Sequence, residues 1–212
     1  TRRLDIEQLR WSNQGKHHLA EGTVNIADVR LNSLLVSANF KDHGSLRDVS
    51  GEFYVSAQDV SVTPWLTTYI QEESGAESGK VSLNTWLTLK HSQPNDAYVE
   101  LLPSELVWNE NGRHELFIES GIFNLRPDKQ GWKVNGHSLR IRTDNTPWPE
   151  LDAAFDWQPN GWTLNLSQLD IEALIPLIKL APESESTSDL INKLAPKGRV
   201  EDVRLSMNGG LD

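Results

Sequence analysis

Val81-Ser82-Leu83-Asn84-Thr85-Trp86-Leu87-Thr88-Leu89 is the stretch on which the fold turns. Its odd positions carry Val, Leu, Thr, Leu and Leu; its even positions carry Ser, Asn, Trp and Thr. A strand sends successive side chains to opposite faces, so this run is a strand with one apolar and one mostly polar face. The same alternation recurs outward in both directions. Leu34, Val36, Ala38 and Phe40 alternate with Leu35, Ser37 and Asn39, and Phe53, Val55 and Ala57 alternate with Tyr54, Ser56 and Gln58. Leu151, Ala153, Phe155 and Trp157, then Trp162, Leu164 and Leu166, then Val203, Leu205 and Met207 continue it. Turn signals separate the runs: Asn13-Gln14-Gly15, Asp42-His43-Gly44, Asn111-Gly112, Asp128-Lys129-Gln130-Gly131 and Pro159-Asn160-Gly161. Together they predict about a dozen strands, joined mostly as an antiparallel meander.

Helical signals are few. Thr63 can cap a helix that starts at Pro64, where the missing N–H costs nothing, and Trp65, Leu66, Tyr69 and Ile70 then form one apolar stripe. A second short helix is predicted over 171–180, bent or started late by Pro176, and a third over 188–194, stopped before Pro196. Two small, polar stretches, 72–79 and 182–188, read as mobile surface loops.

The chain also resembles itself. Leu9-Arg10-Trp11, with Gly15-Lys16-His17 and Leu19, matches Leu106-Val107-Trp108, with Gly112-Arg113-His114 and Leu116, about 97 residues on. Val60-Ser61-Val62 leading to Trp65-Leu66 resembles Leu169-Asp170-Ile171 leading to Leu174-Ile175, and each is followed by a Gly-[Lys/Arg]-Val strand start at Gly79 and Gly198. The predicted organisation is two tandem repeats of about 100 residues, 1–97 and 98–212, stacked or in one continuous sheet.

Hydrophobic residues make up 37% and charged residues 24%, the balance of a folded domain rather than a disordered one. The net charge of −10 argues against nucleic acid and against anionic headgroups held by a basic patch, though not against lipid tails. With no cysteine, disulfides, thiolate catalysis and Cys-ligated zinc are excluded. The chain starts Thr1-Arg2-Arg3-Leu4 with no initiator Met or apolar leader, and its longest apolar run, Ala173 to Ile178, is far too short to span a bilayer. It is therefore expected to be a piece of a longer protein, with any anchor outside it.

Alternation on this scale poses a physical problem. Each buried Val, Leu or Phe is worth about 1.5–3 kcal/mol, so an apolar face of roughly twenty such residues cannot be left to water. Either the sheet folds over on itself as a sandwich, closed or open, or as a barrel, or it curls into a trough covered partly by short helices and partly by an apolar ligand. With so few helices to serve as a lid, the balance tips toward the trough.

Leu169, Ile171, Leu174-Ile175 and Leu177-Ile178, followed by Leu194, Pro196, Gly198, Val200, Asp202-Val203 and Leu205, resemble the central region of the YhdP-like family, within the AsmA-like, TamB-related group. Val60, Val62, Pro64-Trp65-Leu66 and Gly79-Lys80-Val81 with Leu83 carry a reduced version. The resemblance implies a bacterial envelope protein anchored in the inner membrane with its body in the periplasm. It implies a long β-sheet groove carrying phospholipid between membranes, and no catalytic residues. Joined to the parity argument, it predicts that Val55, Leu83, Leu87, Leu89, Phe155, Leu164, Leu166 and Leu205 line a groove for acyl chains. Helices bearing Trp65, Leu66, Leu174 and Ile175 would edge it, and neighbouring β repeats of the full-length chain would extend it. The alternative is a β-sandwich scaffold recognising a glycan or a protein.

No catalytic constellation competes with this reading. The six histidines, His17, His18, His43, His91, His114 and His137, show no metal-ligand spacing, and His17 and His18 would point to opposite faces of one strand. No G-x-S-x-G elbow, phosphate loop or dinucleotide fingerprint occurs, and no cofactor is expected. The glycosidase pattern of two carboxylates across a cleft finds only loop glutamates and Asp152 and Asp156, the latter two on the polar parity of their strand. Eight tryptophans read mainly as packing with their N–H groups satisfied near the rim; Trp86, opposite in parity to its leucine neighbours, is the candidate for a sugar platform or a groove rim.

Overall fold

The structure, a computed structural model, describes residues 4–26, 33–63, 75–109, 112–128, 131–178 and 197–208. Strands β1 (Leu4–Gln14), β2 (His17–Ile26), β3 (Ser33–Ser45), β4 (Asp48–Ser61), β5 (Ala76–Lys90) and β6 (Gln93–Asn109) are followed by β7 (Arg113–Asp128), β8 (Gly131–Thr143) and the two-residue β9 (Thr146–Pro147). Then come β10 (Leu151–Gln158), β11 (Gly161–Asp170), helix α1 (Ile171–Ile178) and β12 (Arg199–Asn208).

All twelve strands belong to one antiparallel sheet whose spatial order is the chain order, with β9 attached only to β8. The two ends, β1 and β12, do not meet, so the sheet is open and not a barrel. This is the mainly β, extended sheet that the alternation predicts. No second sheet faces it among the described residues, so the sandwich alternative is not what these residues build. The predicted boundary at residue 97 falls inside β6.

Adjacent strands turn tightly at Gly15-Lys16, Leu46-Arg47, His91-Ser92 and Pro159-Asn160. Asp42-His43-Gly44 is therefore not the turn its composition suggests. β3 runs on to Ser45, and the register shift between Asp42 and Ser45 accommodates Gly44, whose φ of 101° suits glycine. The stretch expected as a loop at 72–79 is also corrected in part. Ala76, Ser78 and Gly79 pair with Trp108, Val107 and Leu106 as the start of β5, because backbone pairing needs no apolar side chain. Residues 64–74 and 179–196, which include the first and third predicted helices and the groove-edge residues Trp65 and Leu66, lie outside the described residues.

A line of irregularities crosses the sheet. Gln8, Asp59, Ser138 and Asp202 have φ of 50°, 50°, 52° and 52°, and the first three sit at register shifts in β1, β4 and β8. At the bulges around Asp59 and Ser138, side-chain oxygens accept backbone N–H groups taken out of the ladder. Asp59 N–H donates to Ser82 Oγ (2.9 Å) and Ser82 N–H donates to Ser104 Oγ (2.9 Å). Farther along, Ser138 N–H donates to Asp152 Oδ1 (3.0 Å) and Asp152 N–H to Ser167 Oγ (2.9 Å). Bulges increase local twist, so this crease bends the sheet.

Helix α1 is capped by Asp170, whose carboxylate accepts the Ala173 N–H (3.1 Å), while the Ile171 N–H donates to Gly198 O. It starts at Ile171 and includes Pro176, rather than starting late because of it. It packs on β8 and β11, and its Ala173 is buried.

Candidate functional site

Directly opposed residues of an antiparallel pair point to the same face, so the pairing register assigns side chains to faces across the whole sheet. One row starts at Trp11 and passes through Ala20, Ala38, Phe53, Leu87, Ala97, Leu125, Val134, Phe155 and Leu164 to Leu205. It crosses eleven strands without one polar residue. The next row on that face, Gly22, Val36, Val55, Thr85, Val99, Phe123, Gly136, Ala153, Leu166 and Val203, has a single hydroxyl, at Thr85. A third, from Val24 through Leu34, Ala57, Leu83 and Leu101 to Gly121, is again apolar. At the hairpin end, Pro127, Trp132, Trp157, Trp162 and Met207 share a row.

The small residues in these rows have a packing reason. A Cβ on Gly136 would come within 2.8 Å of the Phe123 ring, and one on Gly121 within 2.5 Å of Leu139. Large side chains lie over glycine on the neighbouring strand, which keeps the face even. It is nevertheless not a closed core. Phe53, Leu87, Leu125, Val134, Phe155 and Leu164 are only half-buried, and Leu205 keeps 48% of its surface exposed. Among the described residues α1 is the only element outside the sheet, and it packs mainly on β8 and β11.

All eight strand residues expected to line a groove, Val55, Leu83, Leu87, Leu89, Phe155, Leu164, Leu166 and Leu205, fall on this one face. Leu174 and Ile175 lie half-buried in α1. The sequence reading passed over β6 and β7, whose Val99, Leu101, Phe123 and Leu125 complete the rows. The signal was present in Ala97-Tyr98-Val99-Glu100-Leu101, which alternates like the rest.

The opposite face is polar. Glu52, Thr88 and Asp96 share a row across β4, β5 and β6, and Arg126, Lys133, Asp156 and Thr163 share one across β7, β8, β10 and β11. Arg126 Nε donates to Asp96 (2.7 Å), joining the two sets, and Lys133 Nζ lies 2.8 Å from Asp128 and 3.9 Å from Asp156. The hydrogen bond to Asp128 raises the Lys133 pKa above the usual lysine value, and the hydrogen bond from Arg140 lowers that of Glu150. Trp86 is on this face, as its parity predicts, between Tyr54 and Tyr98 with ring centroids 5.1 and 5.4 Å away. It is 43% exposed.

Two tryptophan–histidine–aspartate groupings brace hairpin ends. In the first, the His18 ring packs 5.6 Å from Trp11 and 5.0 Å from Phe40; its Nε2 lies 2.7 Å from Asp42 and its Nδ1 2.7 Å from Asn13 Oδ1. In the second, His114 stacks 5.5 Å from Trp108 and its Nδ1 lies 3.0 Å from Asp144. In the first grouping it is the buried His18, not the exposed His17, that packs on the tryptophan and meets the aspartate as His114 does in the second. The His18 hydrogen bond, and then the Gly44 N–H, hold the Asp42 carboxyl below its usual pKa. Trp148 N–H donates to Thr143 Oγ1 and Trp11 N–H to Asn13. The buried N–H groups of Trp108 and Trp162 have no acceptor among the described residues, so the expectation of satisfied indoles fails at these two.

His43 and Asp48, from the β3–β4 hairpin, also come together with His91, from the turn after β5, with ligand atoms within 4.8 Å of one another. Among the described residues no helix is long and apolar enough to cross a membrane.

A family model described as "YhdP protein" matches residues 1–211. The Escherichia coli (strain K12) protein named "Intermembrane phospholipid transporter YhdP" is 24% identical over 220 residues, covering 96% of this chain and 17% of that protein. The chain therefore spans about a sixth of that relative's length. No solved structure matches the chain.

Proposed function

Because this chain belongs to the YhdP family, we propose that its apolar face is a track for phospholipid acyl chains, in a non-catalytic segment of a larger periplasmic protein anchored in the inner membrane. The observation that carries the reading is the unbroken apolar row from Trp11 to Leu205, half-exposed along its length. A scaffold needs a buried face; it does not need one left open across eleven strands. Acyl chains leaving water for such a face gain roughly 25 cal/mol per Å² with no chemistry and no fixed site. The row runs across the strands, so a lipid passing from one strand to the next meets the same apolar surface at every step. The relative's name, an intermembrane phospholipid transporter, supports lipid as the cargo and the space between two membranes as the location. Val55, Leu83, Leu87, Leu89, Phe155, Leu164, Leu166 and Leu205 are the proposed lining, with Leu174 and Ile175 at its edge. Neighbouring β segments of the full-length chain would extend the face past β1 and β12.

The test uses the full-length protein purified from membranes, with bound lipid extracted and quantified by mass spectrometry. Phospholipid should accompany the wild type, fall at least about tenfold in Leu87→Glu and Leu125→Glu, and persist in Thr88→Glu on the polar face. Phospholipid equally retained by all variants, or absent from the wild type, would overturn the proposal.

A second reading rests on Tyr54, Trp86 and Tyr98, which form an aromatic ladder on the polar face beside Asn84 and Glu100. That mixture of flat rings and polar groups suits a glycan. Binding on a glycan array that Trp86→Ala abolishes would establish it.

A further inference from the structure

We propose that His43, Asp48 and His91 form a divalent transition-metal site of the zinc class, which ties the β3–β4 hairpin to the β5–β6 hairpin. His43 lies near the end of β3, Asp48 opens β4, and His91 sits in the turn between β5 and β6. Two imidazoles and one carboxylate are a borderline-soft nitrogen–oxygen donor set suited to zinc, copper or nickel rather than to calcium or magnesium.

The geometry is built rather than incidental. The His43 and His91 rings stack with centroids 4.4 Å apart, and His91 Nδ1 lies 3.0 Å from Asp48 Oδ1. His43 Nε2 lies 2.9 Å from Ser50 Oγ. His91 is held in a positive-φ turn (φ 49°, followed by Ser92 at 58°), an uncommon conformation for either residue. Hydrogen bonds over-determine that turn. The His91 N–H donates to Ser50 Oγ (2.9 Å), the Val49 N–H donates to Ser92 Oγ (3.0 Å), and the Ser92 hydroxyl donates to Arg47 O (2.9 Å). The turn carrying one ligand is thereby fixed to the β3–β4 hairpin carrying the others. Ser50, which accepts the His91 N–H and touches the His43 ring, orients both histidines.

The ligand atoms lie within 4.8 Å of one another. A tetrahedral zinc ion with bonds of about 2.0–2.1 Å needs them roughly 3.4 Å apart, so the widest separations must close by about an ångström. His91 and Asp48 have side chains 60% and 44% exposed, which leaves room for rotation about χ1 and χ2. Three protein ligands leave a fourth position for water. The ion would close one loop between residues 43 and 91 and hold two turns that are otherwise joined through backbone and serine contacts.

The experiment strips the whole chain of metal with a chelator, then titrates zinc chloride against a chromophoric competitor, with cobalt(II) absorption as a second probe. One equivalent should bind with micromolar or tighter affinity, and cobalt should give the intense visible bands of a four-coordinate site. His43→Ala and His91→Ala should each weaken zinc binding by at least about tenfold while far-UV circular dichroism stays unchanged. His137→Ala, a remote exposed histidine, should leave binding intact. Absence of micromolar binding in the wild type, or binding insensitive to both histidine changes, overturns the site. Lipid content is a separate readout, so this result and that for the apolar track stand or fall independently.

Discussion

At the level of single residues, Asp42 illustrates how hydrogen bonds to a carboxylate couple folding to pH. Its carboxyl pKa lies below the unfolded value because of the hydrogen bond from His18 and then that from Gly44. A depressed carboxylate adds stability above its unfolded pKa, near 4, and loses it as pH falls through the lower folded value. Asp42→Asn should therefore lower the urea midpoint at pH 6, and the difference from wild type should shrink on acidification toward pH 3. A difference independent of pH would refute the linkage. Lys133 has the opposite sign: its raised pKa contributes below the unfolded lysine value and is lost as pH climbs through the folded one. Much of this scale was hidden from the sequence. The six histidines showed no ligand spacing because His43 and His91 are brought together by strand pairing, not by a local motif. Nor did the match of His17 with His114 reveal that His18 is the histidine packed on Trp11 and Phe40, because burial depends on neighbouring strands and not on a pattern of identities.

At the level of elements, the crease depends on serine. Ser82 and Ser104 are both buried, and each accepts a backbone N–H that the bulges have taken out of the ladder. Ser104→Ala would leave the Ser82 N–H without its acceptor in a buried position, at a cost of about 1–3 kcal/mol. Ser82→Ala should cost a similar amount, and the double variant should cost less than the two added together, since they belong to one chain of hydrogen bonds. Urea unfolding of the three variants measures this; strict additivity would show the links to be independent. Strand existence was legible from alternation, because a side chain's face depends only on parity. Bulges were not, because they shift parity by one at positions such as Asp59 and Ser138 that carry no turn signature. The start of β5 at Ala76 was also missed, since Glu77-Ser78-Gly79 has the composition of a loop and owes its pairing to Trp108 and its neighbours.

At the level of the whole molecule, the parity argument set the architecture: one apolar face, one polar face, and a meander. What the sequence left open was whether that face is sealed, because burial depends on whether a second layer exists, and no local pattern encodes that. The outer sides of β1 and β12 have no partner strand among the described residues, and unpaired edges of this length invite strand addition. The chain should therefore self-associate as its concentration rises, and a variant with lysines introduced along the outer edges of β1 and β12 should do so less; sedimentation velocity distinguishes the two. A chain that stays monomeric at high concentration would show that its edges are already protected.

The sheet follows chain order throughout, and that has a metric consequence. With neighbouring strands about 4.8 Å apart, the eleven-strand path spans on the order of 50 Å from flank to flank. Inserting one more hairpin anywhere would widen the ribbon by about 10 Å without rerouting a single connection or inverting the greasy side. Reach in such a molecule is counted in hairpins, so a gene can lengthen its span in fixed increments, much as planks are added to a gangway.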